Sequence, residues 1–283
     1  MKHDPRRALV ITYSQTGQTE IYGRLIAAVW ESAGLRAVTA DVRTFNMAAL
    51  PSFDLIMVGV PVFYWDVPSN VVGALSSAPR LGGVPVASFV TYGGDGGNQR
   101  NTARRLLKLL WRRGGLPVGM ETFGAVSTFA PTWSMGNERR ILTFSHRPDE
   151  ETYNRVRRYA AAVLGRAREG TAVSYRKEFF PADFLRGRPS VAFNKIMTGR
   201  HTIDASACTA CGICEKKCPV GAIDLRTFTV DTKRCISCLG CINNCPAGAI
   251  DMTYLGKKVY GFSEFKKRHG ITDSLPAELK KKS

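Results

Sequence analysis

The amino-terminal half of the chain alternates short apolar runs with an amphipathic stretch. Apolar, β-branched runs of strand length cover residues 8–13 (ALVITY), 55–60 and 84–90. Residues 20–32, shortly after the first run, are amphipathic and predict a helix. Because buried strands that alternate with helices usually pair in parallel, this pattern predicts an α/β domain built on a parallel sheet.

The following elements continue this scheme. A helix is predicted from Asn98, which is a suitable N-cap residue, to about residue 113. A fifth strand is predicted over residues 117–126. The segment 149–169 begins with acidic residues and is rich in alanine and arginine, so it is predicted to be the final helix of the domain.

The connection between the fifth strand and the final helix, residues 127–147, is longer than most such connections. It contains Trp133 and His146. We interpret it as a lid or as a partner surface. We assign no role to His146, because a lone histidine in a long connection is most often a surface residue.

A loop rich in hydroxyl groups, residues 14–19 (SQTGQT), lies between the first strand and the first helix. Backbone N–H groups and the helix dipole at such a position favour an anion such as a phosphate. The hydroxyls of Ser14, Thr16 and Thr19 can add further donors. The loop has neither the G-x-x-x-x-G-K-[ST] pattern nor the G-x-G-x-x-G pattern. The alternative is an ordinary turn rich in small residues.

Two later loops follow the second and third apolar runs: residues 61–66 (PVFYWD) and 91–98 (TYGGDGGN). Ligands of open α/β sheets bind outside the carboxyl ends of the strands. Aromatic rings in the first of these loops could cover a flat, apolar ring system, and the glycines of the second permit close approach of the backbone. The alternative for Phe63, Tyr64 and Trp65 is simple surface packing.

The last third of the chain contains one cysteine pattern twice, C-x-x-C-x-x-C-x-x-x-C-P. The second copy follows the first by 27 residues, and the likeness continues into CPVGAID and CPAGAID. The cysteines are Cys208, Cys211, Cys214 and Cys218 in the first copy, and Cys235, Cys238, Cys241 and Cys245 in the second. This is the spacing with which bacterial ferredoxins hold two 4Fe–4S clusters.

In such ferredoxins the cysteine before the proline ligates the cluster of the other run. This rule predicts one cluster held by Cys208, Cys211, Cys214 and Cys245, and a second held by Cys235, Cys238, Cys241 and Cys218. A structural zinc site would show two ligand pairs separated by a long gap. A disulfide framework suits a short secreted chain. All eight cysteines are used as cluster ligands, which leaves no free thiol as a nucleophile.

The three loops together resemble those of flavodoxins, which bind FMN: S-x-T-G-x-T, G-x-P followed by aromatic residues, and T-Y-G-G. With the ferredoxin runs behind them, nearly the whole chain resembles the fused flavodoxin–ferredoxin proteins of the EFR1-type family. The resemblance implies a flavodoxin-like, doubly wound parallel five-stranded sheet with strand order 2-1-3-4-5. It also implies that a small α+β two-cluster ferredoxin domain follows this sheet.

The resemblance further implies which residues bind FMN. The phosphate would be held by Ser14, Thr16, Gly17, Gln18 and Thr19. The ring would lie between the two later loops, whose implied cofactor residues are Pro61, Val62, Phe63, Tyr64, Trp65, Thr91, Tyr92, Gly93, Gly94, Asp95 and Gly97. Phe63 and Tyr64 would lie near one side of the ring, and Tyr92 with its two following glycines near the other. Which of the three adjacent aromatic residues stacks on the ring stays open.

Four segments are predicted: a flavodoxin-like FMN-binding domain over 1–170, a connector over 171–200, a two-cluster ferredoxin domain over 201–260, and a basic tail over 261–283. The connector is aromatic and basic, whereas flexible linkers are rich in glycine and serine. We therefore expect it to pack along the domain interface. The alternative is a stripe that docks on a membrane surface or on a partner.

Charge and cysteine usage bear on partners and location. The formal net charge of +17 favours a redox partner with an acidic docking surface. No recognised nucleic-acid-binding motif is present, so nucleic acid is not an expected partner. No apolar run reaches the roughly 18 residues that a transmembrane helix needs. Cysteines that hold metal, with no secretory signal, predict the cytoplasm.

FMN takes up two electrons and can release them singly, while each cluster carries one. We therefore predict an electron carrier that passes electrons between FMN, the two clusters and a partner oxidoreductase. No acid–base pair stands out, and no catalytic residue is assigned. One alternative is a flavin-dependent reductase that acts directly on a small molecule or quinone. Another is a docking or electron-entry subunit of a larger redox complex.

Overall fold

The computed structural model describes residues 4–94, 97–179, 191–272 and 274–280. The chain divides into two compact units. The first comprises Met1–Ala125, Arg147–Arg186 and Ser274–Ser283, and the second comprises Val126–His146 and Gly187–Asp273. Each unit therefore draws on separate stretches of the chain, whereas the sequence predicts four consecutive segments. The boundaries of those segments stay a prediction.

The sheet of the first unit has five parallel strands in the order β2-β1-β3-β4-β5. The strands are β1 Arg7–Thr12, β2 Arg36–Asp41, β3 Leu55–Pro61, β4 Pro85–Gly93 and β5 Leu116–Ala125. This is the flavodoxin-like strand order, so the predicted fold is confirmed. The order reverses between β1 and β3, which is the switch point where such sheets bind ligands.

Helices cover both faces of this sheet. The longer ones are α1 Gln18–Ser32, α2 Ser69–Ser76, α3 Gln99–Arg112 and, later in the chain, Glu150–Glu169. Ala8 and Val10 of β1 belong to one apolar cluster, with α1 and Glu150–Glu169. Leu9 and Ile11 belong to the other, with α2 and α3. Successive side chains of a strand point to opposite faces, so β1 contributes to both cores.

The starts of two helices show how local sequence acts. Asp149 caps the helix Glu150–Glu169, because its Oδ1 accepts a hydrogen bond of 2.8 Å from the N–H of Thr152. Asn98 occupies the N-cap position of α3, as predicted, but its side chain makes no capping hydrogen bond. Its amide nitrogen instead donates to the carbonyl oxygen of Trp65 at 2.8 Å. The carbonyl oxygen of Asn98 accepts from the N–H of Thr102 at the start of α3, while its side chain holds the preceding aromatic loop.

The second unit is built from short helices and two small antiparallel sheets, β6-β9-β10 and β7-β8. The strands are β6 Thr198–Ile203, β7 Ile223–Asp224, β8 Thr229–Val230, β9 Ile250–Tyr254 and β10 Lys257–Lys258. The helices are Pro131–Ser134, Glu138–Leu142, Val191–Met197, Ile213–Lys217, Gly240–Asn244 and Phe262–His269. This is the small α+β architecture that the sequence predicts.

Trp133 lies in the core of the second unit and is only 1% exposed. Its ring stacks on Phe265 with the centroids 4.6 Å apart, and its Nε1–H donates to the carbonyl oxygen of Tyr260 at 2.9 Å. At Trp133, the predicted lid or partner surface is therefore a packed structural segment. Among the described residues, none of the helices is both long enough and apolar enough to cross a membrane.

Candidate cofactor sites

The loops after β1, β3 and β4 meet at one edge of the sheet, because these three strands are neighbours. The N–H of Tyr13 donates to the carbonyl oxygen of Gly59 at 2.9 Å, and the N–H of Val62 donates to that of Thr91 at 2.8 Å. The hydroxyl oxygens of Thr19 and Thr91 lie 2.8 Å apart, and both residues are buried. The structure thus brings together the three loops that the sequence singles out.

The first loop ends at Gly17, which has a φ of +90° and precedes the first residue of α1, Gln18. Glycine adopts this left-handed conformation readily, and it has no side chain with which to cap the helix. Ser14 and Thr19 are buried beside this helix start, and Thr16 is half-buried. A helix start with neighbouring hydroxyls is a suitable site for a phosphate.

Arg43 is a neighbour of this loop that the sequence reasoning missed. Its guanidinium lies 5.8 Å from the ring centroid of Tyr13, and its Nη2 lies 3.5 Å from the carbonyl oxygen of Ser14. Asp41, at the end of β2, accepts from Arg43 Nε at 2.9 Å and so balances its charge. The sequence offers only one signal for this role, a basic residue shortly after β2. The apolar pattern of the sequence does not predict β2.

The second loop is a tight turn with two aromatic residues at its tip. The N–H of Phe63 donates to the carbonyl oxygen of Asp66 at 2.9 Å, and the N–H of Asp66 donates to that of Phe63 at 2.8 Å. Tyr64 and Trp65 between them have φ values of +45° and +66°. Bulky L-residues rarely adopt this left-handed conformation, and where they do, the strain is typical of ligand sites.

The other residues of this loop are held in place by packing. The ring of Phe63 lies edge-on to that of Tyr13, with centroids 5.9 Å apart, and it packs against the apolar cluster that covers one face of the sheet. Pro61 and Val62 are half-buried beside it. Phe63 is therefore an anchor of the turn, whereas Tyr64 and Trp65 form its tip.

The third predicted loop begins inside β4, because Thr91, Tyr92 and Gly93 are the last residues of that strand. Tyr92 and Gly94 are half-buried, and Gly93 and Gly97 are exposed. Gly94 has a φ of +68°, which favours glycine at this position. Asp95, which the sequence also places in the FMN site, lies outside the described residues. The described part of this loop therefore offers exposed glycine backbone to the candidate site, close in sequence to Thr91, which is buried.

In the second unit, a pocket is lined by Cys208, Cys211, Cys214 and Cys245. Three of these cysteines come from the first run and one from the second, as the crossing rule of two-cluster ferredoxins requires. The remaining side chains of the wall are mostly apolar and include Ile203, Ile213, Leu225 and Ile250. The donor set and its apolar surroundings fit a 4Fe–4S cluster, which takes four thiolates.

The other four cysteines interact with one another in the same unit. Burial raises the pKa of the Cys235 thiol, and repulsion from Cys218 acts in the same direction. Burial also raises the pKa of Cys241 well above its ordinary value, with smaller contributions from Cys238, Cys235 and Cys218. Cys218 of the first run therefore lies close enough to Cys235 and Cys241 to act on their thiols electrostatically. Metal binding requires thiolates, so loading this group would release protons.

The internal repeat extends to the backbone and to its hydrogen bonds. The N–H of Ala222 donates to Cys218 Sγ at 3.1 Å, and the N–H of Ala249 donates to Cys245 Sγ at 3.2 Å. Further pairs of equivalent positions share positive φ values: Ala210 and Ser237 at 52° and 53°, and Gly221 and Gly248 at 59° and 63°. The two runs therefore have closely similar local conformations.

The cysteine thiols are neither joined by disulfides nor gathered, among the described residues, in a preformed site for a single metal ion. Within the part of the chain that the structure describes, no three His, Cys, Asp or Glu side chains are grouped so that they could hold one metal ion. All eight cysteines are free thiols.

One contact to these cysteines was missed by the sequence reasoning. Nε2 of His201 lies 3.4 Å from Sγ of Cys241, and both residues are buried. Burial lowers the pKa of His201. The contact spans 40 residues, and the histidine lies outside the cysteine pattern, so the spacing gave no signal for it.

Comparison with protein families finds two matches within the second unit. Residues 201–224 and 228–251 each match the 4Fe-4S binding domain family. The two matched stretches contain the two cysteine runs and repeat with the same offset of 27 residues. Among curated proteins, none matches the chain.

Solved structures similar to this chain include several flavodoxins. One from Streptococcus pneumonia TIGR4 is 13% identical, covers 56% of this chain and 99% of its own, and has a TM-score of 0.45. Oxidised flavodoxin 1 from Bacillus cereus is 17% identical, covers 56% and 97%, and scores 0.44. A flavodoxin from the domain Archaea is 16% identical, covers 57% and 98%, and scores 0.43. The fold assignment rests on the strand order of the sheet. The chain thus joins a flavodoxin-like fold to a 4Fe-4S binding domain.

Proposed function

We propose that this protein transfers electrons between FMN, bound by the first unit, and two 4Fe–4S clusters, bound by the second, and exchanges them with a partner oxidoreductase. The observation that carries the proposal is the pocket that gathers Cys208, Cys211 and Cys214 with Cys245 of the other run. Its support is the match of both runs to the 4Fe-4S binding domain family.

The FMN site is proposed from the chemistry of the three loops. Ser14 and Thr19 lie beside the start of α1, where a phosphate would accept hydrogen bonds from hydroxyl and backbone groups. The turn that carries Tyr64 and Trp65 offers aromatic surface for a flat ring, and Gly94 keeps the opposite loop open for close approach. Bound FMN would take up electrons in pairs and release them singly.

The clusters are proposed to be ligated across the repeat. One would be held by Cys208, Cys211, Cys214 and Cys245, and the other by Cys235, Cys238, Cys241 and Cys218. The protein's part is to exclude water with apolar side chains and to donate backbone N–H groups to the sulfurs. A partner with an acidic docking surface is proposed from the net charge of +17. The cytoplasmic location and the EFR1-type family name stay predictions.

The test is anaerobic purification followed by assay of iron, labile sulfide and FMN per chain. We expect about eight irons, about eight sulfides and one FMN, as two cubane clusters and one flavin require. Reduction of the flavin by light should be followed by bleaching of the visible iron–sulfur absorbance. Absence of bound FMN, or of iron and sulfide, would overturn the proposal. Turnover of a quinone without any partner protein would favour the reductase alternative.

A further inference from the structure

His201 makes a contact that the internal repeat does not reproduce. Its Nε2 lies 3.4 Å from Sγ of Cys241. The matched repeats begin at residues 201 and 228, so Phe228 is the counterpart of His201. A phenylalanine ring has no N–H group to donate. Phe228 therefore cannot offer a cysteine sulfur the hydrogen bond that His201 offers to Cys241.

The backbone contacts, by contrast, are matched between the runs. The N–H of Ala210 donates to Cys208 Sγ at 3.4 Å, and the N–H of Ser237 donates to Cys235 Sγ at 3.3 Å. The bonds to the two cysteines that precede proline are also equivalent. The backbone N–H donors therefore contact equivalent cysteines of the two runs in the same way. The imidazole of His201, by contrast, is a side-chain donor to a cysteine of the second run, and Phe228 provides no equivalent.

A hydrogen bond to a ligand sulfur influences the reduction potential of an iron–sulfur cluster. Reduction adds negative charge to the cluster, part of which resides on its sulfurs. An N–H donor therefore stabilises the reduced form more than the oxidised form and raises the potential. The effect is strengthened by burial, because electrostatic interactions are stronger at low local dielectric. His201 is 9% exposed and Cys241 is 8% exposed.

We propose that His201 is a positioning residue for electron transfer, which acts through Cys241. Its Nε2–H donates to the Cys241 thiolate and raises the potential of the cluster on Cys235, Cys238, Cys241 and Cys218 above that of its twin. A thiolate sulfur has no hydrogen to give, so the Nε2 atom must carry it. The proposal rests on the proposed function, since it requires both clusters. With the higher potential, this cluster should be the first of the two to be reduced.

The experiment compares the His201→Phe variant, which copies the counterpart position, with His201→Gln, which keeps an N–H donor. Phe228→Leu is the matched control, because it changes the equivalent side chain without altering any donor. Each holoprotein is purified anaerobically and assayed for iron and sulfide. Each is then titrated against ambient potential while the EPR signals of the reduced clusters are recorded.

In His201→Phe we expect the one-electron step at higher potential to move to lower potential, and a shift confined to the other step would contradict the proposed order of reduction. At a fixed ambient potential, the ratio of reduced to oxidised cluster should fall by up to about tenfold, which is about 59 mV for a one-electron couple. His201→Gln should recover most of this shift, and Phe228→Leu should move neither step. If His201→Phe fails to retain its clusters, His201→Leu takes its place as the variant without a donor, and its comparison with His201→Gln decides.

Two results would overturn the inference. The first is full iron and sulfide content in His201→Phe with both steps unmoved. The second is an equal fall in His201→Gln and His201→Phe, which would indicate a role in packing rather than in donation. Lack of iron and sulfide in the wild-type protein is a different failure, because it overturns the proposed function itself.

Discussion

The hydroxyl oxygens of Thr19 and Thr91 lie 2.8 Å apart, although the two residues are 72 positions apart in the chain. Thr19 is in the first turn of α1, and Thr91 is near the end of β4. Both side chains are buried, at 2% and 4% exposure. The pair ties the proposed phosphate loop to the loop beside the proposed flavin ring, so the phosphate and ring ends of the site are fixed together.

Replacing Thr19 by valine should weaken FMN binding. The change keeps the side-chain shape but removes a hydroxyl beside the helix start, and a hydrogen bond to a charged group is worth about 1.5–3 kcal/mol. We expect a loss of about tenfold or more in affinity, measured by quenching of FMN fluorescence on titration with the apoprotein. Thr39→Val, at an exposed position of β2, is the control. Equal affinities of the two variants would show that Thr19 does not contact FMN.

Glycine at Tyr64 or Trp65 should separate stability from cofactor binding. Both residues have positive φ, which costs an L-residue roughly 1–2 kcal/mol. Glycine removes this strain, so the free energy of unfolding of the apoprotein should hold or rise, while FMN binding weakens. Leu255→Gly, at a positive-φ position of the second unit, should change stability alone. FMN affinity unchanged in both Tyr64→Gly and Trp65→Gly would mean that this turn does not cover the ring.

The strands that the sequence predicts correctly are those with continuous apolar runs. The predicted 55–60 and the observed Leu55–Pro61 agree because every side chain of this strand except the last is buried. The sequence does not predict β2, Arg36–Asp41, because this strand lies at the edge of the sheet and has no buried residue. An edge strand of mixed polarity has no clear periodicity, and its pairing with β1 is decided by tertiary structure.

The candidate sites likewise divide into features that the sequence predicts and features that it does not. The grouping of Cys245 with Cys208 could be predicted because a spacing rule connects cysteine pattern and cluster geometry. The turn at Tyr64 and Trp65 could not be predicted from the sequence, because no conformational propensity favours two bulky residues at positive φ. The contact between His201 and Cys241 depends on the antiparallel pairing of β6 with β9, which brings residues of the two repeats together.

Serine substitutions in pairs should reveal which cysteines share a cluster. Cys211→Ser should lose or convert one cluster, and Cys238→Ser should do the same to the other. If ligation crosses the repeat, adding Cys245→Ser to Cys211→Ser affects the same cluster again, so iron content and EPR signals should change little further. Adding Cys218→Ser instead should damage both clusters. Ligation within each run predicts the opposite pattern, and quantitative EPR with iron analysis distinguishes them.

Trp133→Ala should destabilise the second unit strongly. The side chain is 1% exposed and stacks on Phe265, and truncating a buried tryptophan costs about 3–5 kcal/mol. Trp111→Ala is a matched control, because that tryptophan is 55% exposed and a surface change costs about 0.5 kcal/mol or less. The denaturant midpoint of cluster bleaching under anaerobic conditions measures the effect. Similar midpoints for the two variants would contradict the packing role of Trp133.

The pair of Arg157 and Glu278 should make the stability of the first unit depend on pH. Arg157 donates to both carboxylate oxygens of Glu278, at 2.7 and 2.9 Å, and so joins the helix Glu150–Glu169 to the short helix Ala277–Lys280. These hydrogen bonds lower the pKa of Glu278 below its ordinary value. The folded state thus favours the ionised carboxylate.

A depressed carboxylate pKa contributes stability that is complete above the unfolded pKa and is lost as the pH falls through the folded pKa. Glu278→Gln should therefore destabilise the protein near neutral pH, and the difference from the wild type should shrink as the pH falls below the ordinary pKa of glutamate and through the lowered pKa of Glu278. Partial exposure of the pair limits the cost to about 1 kcal/mol. Urea unfolding followed by tryptophan fluorescence at a series of pH values measures the difference. A difference that stays constant from neutral to acidic pH would mean that packing of the side chain, rather than its charge, holds these helices together.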